Sequence, residues 1–145
     1  MQINLDCVRD VMLCAENNTG LHQHCYFLDY HFIEQAEYLG NIEETPAYQA
    51  ELEKRYDNEE IIYHLKYCIE SGLLVSGTPI DLYQIWIIDL TPKGHDFLAN
   101  IRRQSVWANV KKLLTNSGST GVDVVIEIAK AVAVDAAKKA LLSGG

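Results

Sequence analysis

The stretch Asp57–Leu98 reads DNEEIIYHLKYCIESGLLVSGTPIDLYQIWIIDLTPKGHDFL. Asp57, with Glu60 three residues later, is an acidic relative of the capping box, in which a side-chain oxygen takes a backbone N–H that the first helical turn leaves unpaired. Ile61, Leu65, Cys68 and Ile69 then recur at helical spacing, so a helix over 58–71 with one face turned inward is expected. Gly72 stops it, since a left-handed C-cap residue carries no steric cost only in glycine. Leu73–Val75 and Leu82–Leu90 read as strands, and Ser76-Gly77-Thr78-Pro79 supplies turn chemistry between them. Leu90-Thr91-Pro92-Lys93-Gly94 announces the next helix, which runs on after Thr91-Pro92.

Helix, hairpin and helix in that order form the core of a winged helix. The expected fold class is therefore α+β, mostly helical: a winged helix-turn-helix with additional C-terminal helices. The returning strand is apolar on both faces, Tyr83, Ile85 and Ile87 alternating with Leu82, Trp86, Ile88 and Leu90. Either helices cover both sides of the hairpin or a partner covers one.

Outward from this core, Asn4 caps a first helix over 4–17 in which Leu5, Val8, Met12 and Ala15 keep a helical period. Between Leu21 and Tyr56 aromatics crowd at Tyr26, Phe27, Tyr30 and Phe32, and a short helix near 30–39 ends at Gly40-Asn41. Thr45-Pro46 starts another, lined by Tyr48, Leu52 and Tyr56. It is the first helix of the helix-turn-helix, and 58–71 is the recognition helix. After the wing, 73–90, helices over 92–114 complete a winged-helix domain spanning 1–114. A Ser- and Gly-rich joint, 115–121, leads to an amphipathic C-terminal helix over 122–142, with Thr120 as its cap.

At 145 residues and 48% hydrophobic content the chain can bury a core without staples. No run reaches the roughly 18 uncharged apolar residues of a membrane span, and no signal-peptide layout opens the chain, so a soluble cytoplasmic protein is expected. Cys7, Cys14, Cys25 and Cys68 lack paired spacing and read as reduced, buried thiols.

The net charge of −8 is unevenly distributed: residues 1–89 hold 16 acidic against four basic side chains, a net −12, and residues 90–145 hold eight basic against four acidic, a net +4. An acidic front half repels a polyanion at long range, so any nucleic-acid contact must be local.

Several segments together resemble a known group: Asn4-Leu5-Asp6 with Val8-Arg9-Asp10; Glu59 to Leu65 running on to Glu70-Ser71-Gly72-Leu73; Leu90 to Leu98; Val106-Trp107; and Ile126-Glu127-Ile128-Ala129-Lys130. This pattern is similar to the domain-of-unknown-function 2513 family, small proteins of bacteria and their phages. The resemblance implies a phage or prophage setting and carries no catalytic residues. More broadly, His64-Leu65, Glu70 to Leu74 and Leu90 to Gly94 resemble the recognition-helix exit and post-wing helix of bacterial winged-helix regulators.

The outward side chains of the 58–71 helix are expected to include Glu59, Glu60, Tyr63, His64, Lys66, Tyr67 and Glu70. Base edges are read by Arg, Lys, Asn or Gln, and phosphates need several cations. One lysine against three glutamates is a poor reader. The wing tip, Ser76–Asp81, has no Lys or Arg. With only Lys54, Arg55 and Lys66 on phosphates, the salt slope would be about −3.

The leading expectation is thus a non-enzymatic regulatory module that engages a protein through Tyr63, Tyr67, Tyr83 and Trp86, aromatics that give large contact area at low ordering cost. Core packing is the ordinary role for a strand tryptophan such as Trp86. The alternative is a dimeric DNA-binding regulator using Asn58 and Lys66 with Arg102, Arg103, Lys111 and Lys112, although a first-turn asparagine commonly only caps and exposed helical cations are commonly only solvated.

No cofactor or metal is expected. His22, His24, Cys25 and His31 lack zinc-site spacing, and Ser117-Gly118-Ser119-Thr120-Gly121 lacks the ending of a phosphate-binding loop. Cys25 beside His22 and His24 has the residue types of an activated nucleophile without a flanking signature. The apolar face of the last helix, from Val122 to Ala136, either folds back or pairs with its copy, and a homodimer through this helix is the expectation.

Overall fold

The computed structural model describes residues 1–36, 44–78, 82–117 and 121–143. The Gly40-Asn41 break, the far end of the hairpin turn from Pro79, and residues 118–120 of the expected joint lie outside the described residues, while its first three residues, 115–117, belong to a helix. The fold is mostly helical α+β, with ten elements described: α1 (Leu5–Asn18), β1 (Cys25–Leu28), α2 (Tyr30–Ala36), α3 (Ala47–Leu52), α4 (Asn58–Glu70), β2 (Leu74–Ser76), β3 (Gln84–Leu90), α5 (Pro92–Ile101), α6 (Gln104–Ser117) and α7 (Val122–Ser143). They fall into two compact units, Met1–Gly94 and His95–Gly145.

In the first unit α1 packs on α4, β3 and α3. Its buried positions, Cys7, Val8, Val11, Met12, Cys14 and Ala15, form one stripe, met from α4 by Ile61, Leu65 and Cys68. Each buried Ile, Leu or Val contributes about 1.5–3 kcal/mol. Asn4 caps α1, its Oδ1 accepting from the backbone N–H of Asp6 and Cys7 at 3.1 and 3.3 Å. The same residue reaches α4: its Nδ2 donates to Glu60 Oε1 at 2.8 Å, and its backbone N–H donates to His64 Nε2, also at 2.8 Å.

His64 is therefore not outward, as a helical wheel suggests. It is fully buried, and its Nδ1 sits 2.7 Å from the Glu60 carbonyl. With Nε2 accepting, the ring is the neutral tautomer carrying its proton on Nδ1. Local periodicity cannot foresee a partner 60 positions away.

The sheet also departs from expectation. Beyond the hairpin of β2 and β3 there is a third strand, β1, and the order is β1-β3-β2, all antiparallel. Cys25, Tyr26, Phe27 and Leu28 lie opposite Ile87, Trp86, Ile85 and Gln84. The outer edge of β1 is closed by side chains of α3. Tyr48 Oη accepts from Tyr26 N–H and donates to its carbonyl, while Gln49 Oε1 accepts from Leu28 N–H at 2.8 Å and Gln49 Nε2 donates to Leu28 O at 2.9 Å. A side-chain amide thus replaces a missing neighbouring strand, which protects an edge otherwise open to pairing. At the opposite edge β2 is short and irregular in register between Val75 and Ser76.

Helix α3 begins one residue later than the Thr45-Pro46 pattern predicts. Pro46 occupies the cap position, and Thr45 Oγ1 instead hydrogen-bonds Tyr30 Oη at 2.8 Å. Where caps are local, expectation and structure agree. Asp57 accepts from Glu60 N–H at 2.8 Å, Gly72 has φ 75°, and Thr91 Oγ1 accepts from Gly94 N–H at 2.9 Å. Gly94 is held for a second reason, because a Cβ there would lie 2.1 Å from the Leu73 carbonyl oxygen.

In the second unit α6 and α7 pack together, with Val125 and Ala129 of α7 buried alongside Trp107, Val110 and Leu114 of α6. The last turn of α7 is uncovered: Leu141 is 80% and Leu142 87% exposed.

Candidate functional site

The turn from β1 into α2 and the first turns of α4 are bound together by Asn58. Its Nδ2 donates to the Leu28 carbonyl at 2.9 Å and its Oδ1 accepts from Tyr30 N–H at 3.0 Å. Both ends of the amide are engaged with backbone, so this side chain clamps rather than reads. Asp29 accepts from His31 N–H at 3.1 Å and is pinned through its own N–H to the Tyr83 carbonyl at 2.8 Å.

These contacts set α2 beside α4 and open a cleft of about 520 Å³ between them, lined by Asp29, His31, Phe32, Asn58, Glu59, Ile62, Tyr63 and Lys66. Ile62 is buried at its floor, and Tyr63 is 39% exposed at its side. The rings are held edge-on to histidines, Phe32 to His31 at 5.0 Å and Tyr63 to His64 at 5.3 Å between centroids. Glu59 and Lys66 are exposed.

Asn58, Tyr63 and Lys66 of the sequence candidates meet here. Tyr67 is half-buried further along α4, and Tyr83 is half-buried, contributing its backbone carbonyl to Asp29. Trp86 is half-buried on the sheet at 5.0 Å from Tyr26, and its Nε1 donates to Gln84 Oε1 at 3.2 Å. Arg102, Arg103, Lys111 and Lys112 belong to the second unit. Arg102 and Arg103 are exposed between α5 and α6, Lys111 lies 6.0 Å from the Trp107 ring centroid, and Lys112 is exposed beside Asp135.

The sequence reading missed Asp29, His31 and Phe32 as site residues. An aspartate just before an aromatic helical run is a capping signal that could have marked the start of α2, but its place beside α4 depends on the Asn58 contacts.

Other cations of the first unit are committed internally. Lys54 bridges Glu51 at 2.9 Å, and Arg55 bridges Asp10 at 2.9 Å, an oxygen that also receives the Tyr56 hydroxyl at 2.6 Å. Burial pushes the Cys25 thiol up to about 12, the wrong direction for a nucleophile at neutral pH. His22 and His24 are exposed, and among the described residues no three His, Cys, Asp or Glu side chains converge on a metal position.

Fold and cleft define a mostly helical α+β protein with a small antiparallel sheet and an aromatic, carboxylate-bearing groove on the exposed side of α4. The family model described as Hypothetical protein (DUF2513) matches residues 2–120. The chain belongs to that family, the one its motifs resemble. No curated protein and no solved structure matches it. No helix among the described residues is long and apolar enough to cross a membrane.

Proposed function

We propose that the chain is a non-enzymatic winged-helix module, of phage or prophage setting, that acts by binding a protein through the exposed face of α4. The winged-helix reading is supported by the order α1, β1, α2, α3, α4, β2, β3, in which the strand following the first helix pairs with the returning strand of the hairpin. The observation that carries the protein-binding reading is the make-up of the α4 face. Glu59, Tyr63, Lys66 and Glu70 are exposed there, two carboxylates to one cation, while the Asn58 amide is already bound to backbone. An aromatic flanked by mixed charge and set over a buried isoleucine suits a protein interface, whereas a DNA reader needs several free cations.

The test is affinity capture from the native host with the wild-type chain and with Tyr63→Ala. A partner retained by the first and lost by the second supports the reading; capture unaltered by Tyr63→Ala overturns it.

The far half of α7 favours self-association. Val134, Leu141 and Leu142 are exposed apolar side chains on a helix that carries Asp123, Glu127 and Lys130 in its first half and Asp135, Lys138 and Lys139 in its second, with Lys139 ion-paired to Asp135 at 3.0 Å. An antiparallel pair of α7 helices sets a half of net charge −1 against a half of net charge +1. Light scattering on Leu141→Lys/Leu142→Lys tests it: a fall from dimer to monomer is expected, and an unchanged mass removes α7 from the interface.

A further inference from the structure

The α2–α4 cleft has chemistry specific enough to name what it accepts. Asp29 is only 8% exposed and is one of the residues that line the cleft. One oxygen, Oδ1, accepts from His31 N–H; among the described residues Oδ2 has no hydrogen-bond partner, and no buried side-chain oxygen there is sealed off without one. Oδ2 therefore keeps some accessible surface on a residue that lines the cleft. A carboxylate removed from bulk water with an unused oxygen is a strong acceptor for a charged donor.

Glu59 lies on the same wall with a second carboxylate. Phe32, Ile62 and Tyr63 supply apolar surface between, two of them rings whose faces attract cations. Lys66 is eight positions beyond Asn58, about 12 Å along the helix rise, and it is ion-paired to neither Asp29 nor Glu59 among the described residues. It leaves the Asp29–Glu59 end acidic while making the far end positive. The N-terminal dipole of α4, which disfavours a cation, is countered by Asp57, Glu59 and Glu60 in its cap and first turn.

We propose that this cleft seats an arginine or lysine side chain of the protein partner, its charge on Asp29 and Glu59 and its aliphatic stem against Phe32, Ile62 and Tyr63. This rests on the protein-binding reading above and deepens it. Lys66 orients the segment, so that the partner's basic residue lies toward the start of α4 and an acidic or polar one toward Lys66. A strongly basic stretch is disfavoured, because its second cation would meet Lys66.

A phage-displayed library of random dodecapeptides, selected on the full immobilised chain, tests the proposal with a defined probe. The expected enrichment is an Arg or Lys next to an aliphatic or aromatic residue. A synthetic copy of the selected peptide should bind about tenfold more weakly to Glu59→Gln and to Phe32→Ala, and as weakly when its own basic residue becomes Gln. Glu51→Gln, on the exposed Lys54 pair, should leave binding unchanged. Glu59 is exposed, so its variant keeps the fold, and circular dichroism checks Phe32→Ala.

An acidic or uncharged consensus overturns the proposal, as does a basic peptide indifferent to Glu59→Gln, or no enrichment over the unselected library. Host-protein capture that still depends on Tyr63 then leaves the broader reading standing without the cation seat; capture indifferent to Tyr63→Ala removes both.

Discussion

Asn4 and His64, 60 positions apart, are joined by a hydrogen bond from the backbone N–H of Asn4 to the imidazole Nε2 at 2.8 Å. Because His64 Nδ1 also hydrogen-bonds the Glu60 carbonyl, one neutral ring links the start of α1 to the middle of α4. His64→Leu removes both bonds and leaves the Asn4 N–H without its partner. The expected loss is about 1–3 kcal/mol, read as a lower urea midpoint at unchanged m-value.

The Gln49 amide stands in for a strand along β1. Gln49→Leu, close in size, strips Leu28 N–H of its acceptor in a fully buried place and should destabilise by about 1–3 kcal/mol. Gln49→Glu keeps an acceptor and loses the donor to Leu28 O, which also receives the Asn58 amide. Urea unfolding of the two variants and the wild type, with equal stability for all three as the contrary result, checks that α3 holds the sheet edge.

Gly94→Ala should be among the most damaging single changes, because a methyl 2.1 Å from the Leu73 carbonyl forces backbone to move. A loss of about 3 kcal/mol or more is expected, against the roughly 1 kcal/mol that helix propensity alone would add in alanine's favour. Thermal unfolding decides it: a melting point equal to or above that of the wild type contradicts the close approach.

The four buried cysteines lower stability in alkali. Burial, the largest cause in each case, pushes Cys7, Cys14 and Cys25 up to about 12, and moves Cys68 in the same direction. The unfolded chain loses thiol protons from near pH 9 while the folded one keeps them, so folding stability is full below that pH. It falls as pH rises toward 12, by about 1.4 kcal/mol per pH unit for each thiol. The urea midpoint should be flat from pH 7 to 8 and drop steeply above 9. Ellman's reagent should label the native protein no faster than it unfolds, and prompt labelling at pH 8 contradicts buried thiols.

Legibility in the sequence follows locality. Helices α1, α4 and α5 are readable because Asn4, Asp57 and Thr91 cap them within four residues. Strand β1 is not: it has four residues, and its outer edge is closed by Tyr48 and Gln49 from beyond a gap of about twenty positions. His64 and Asn58 mislead for the same reason, since polar residues on a helix look outward until a distant backbone partner is known. At the site, Tyr63 and Lys66 were legible from helical phase alone, whereas Asp29 and Phe32 enter only once the Asn58 clamp lays α2 along α4.

Fluorescence anisotropy of a labelled mixed-sequence duplex, titrated with the full chain at low salt, decides between the proposed protein-binding role of the α4 face and a DNA-binding one. No rise in anisotropy is expected at micromolar protein. Salt-sensitive binding that is lost in Lys66→Ala would contradict the protein-binding role.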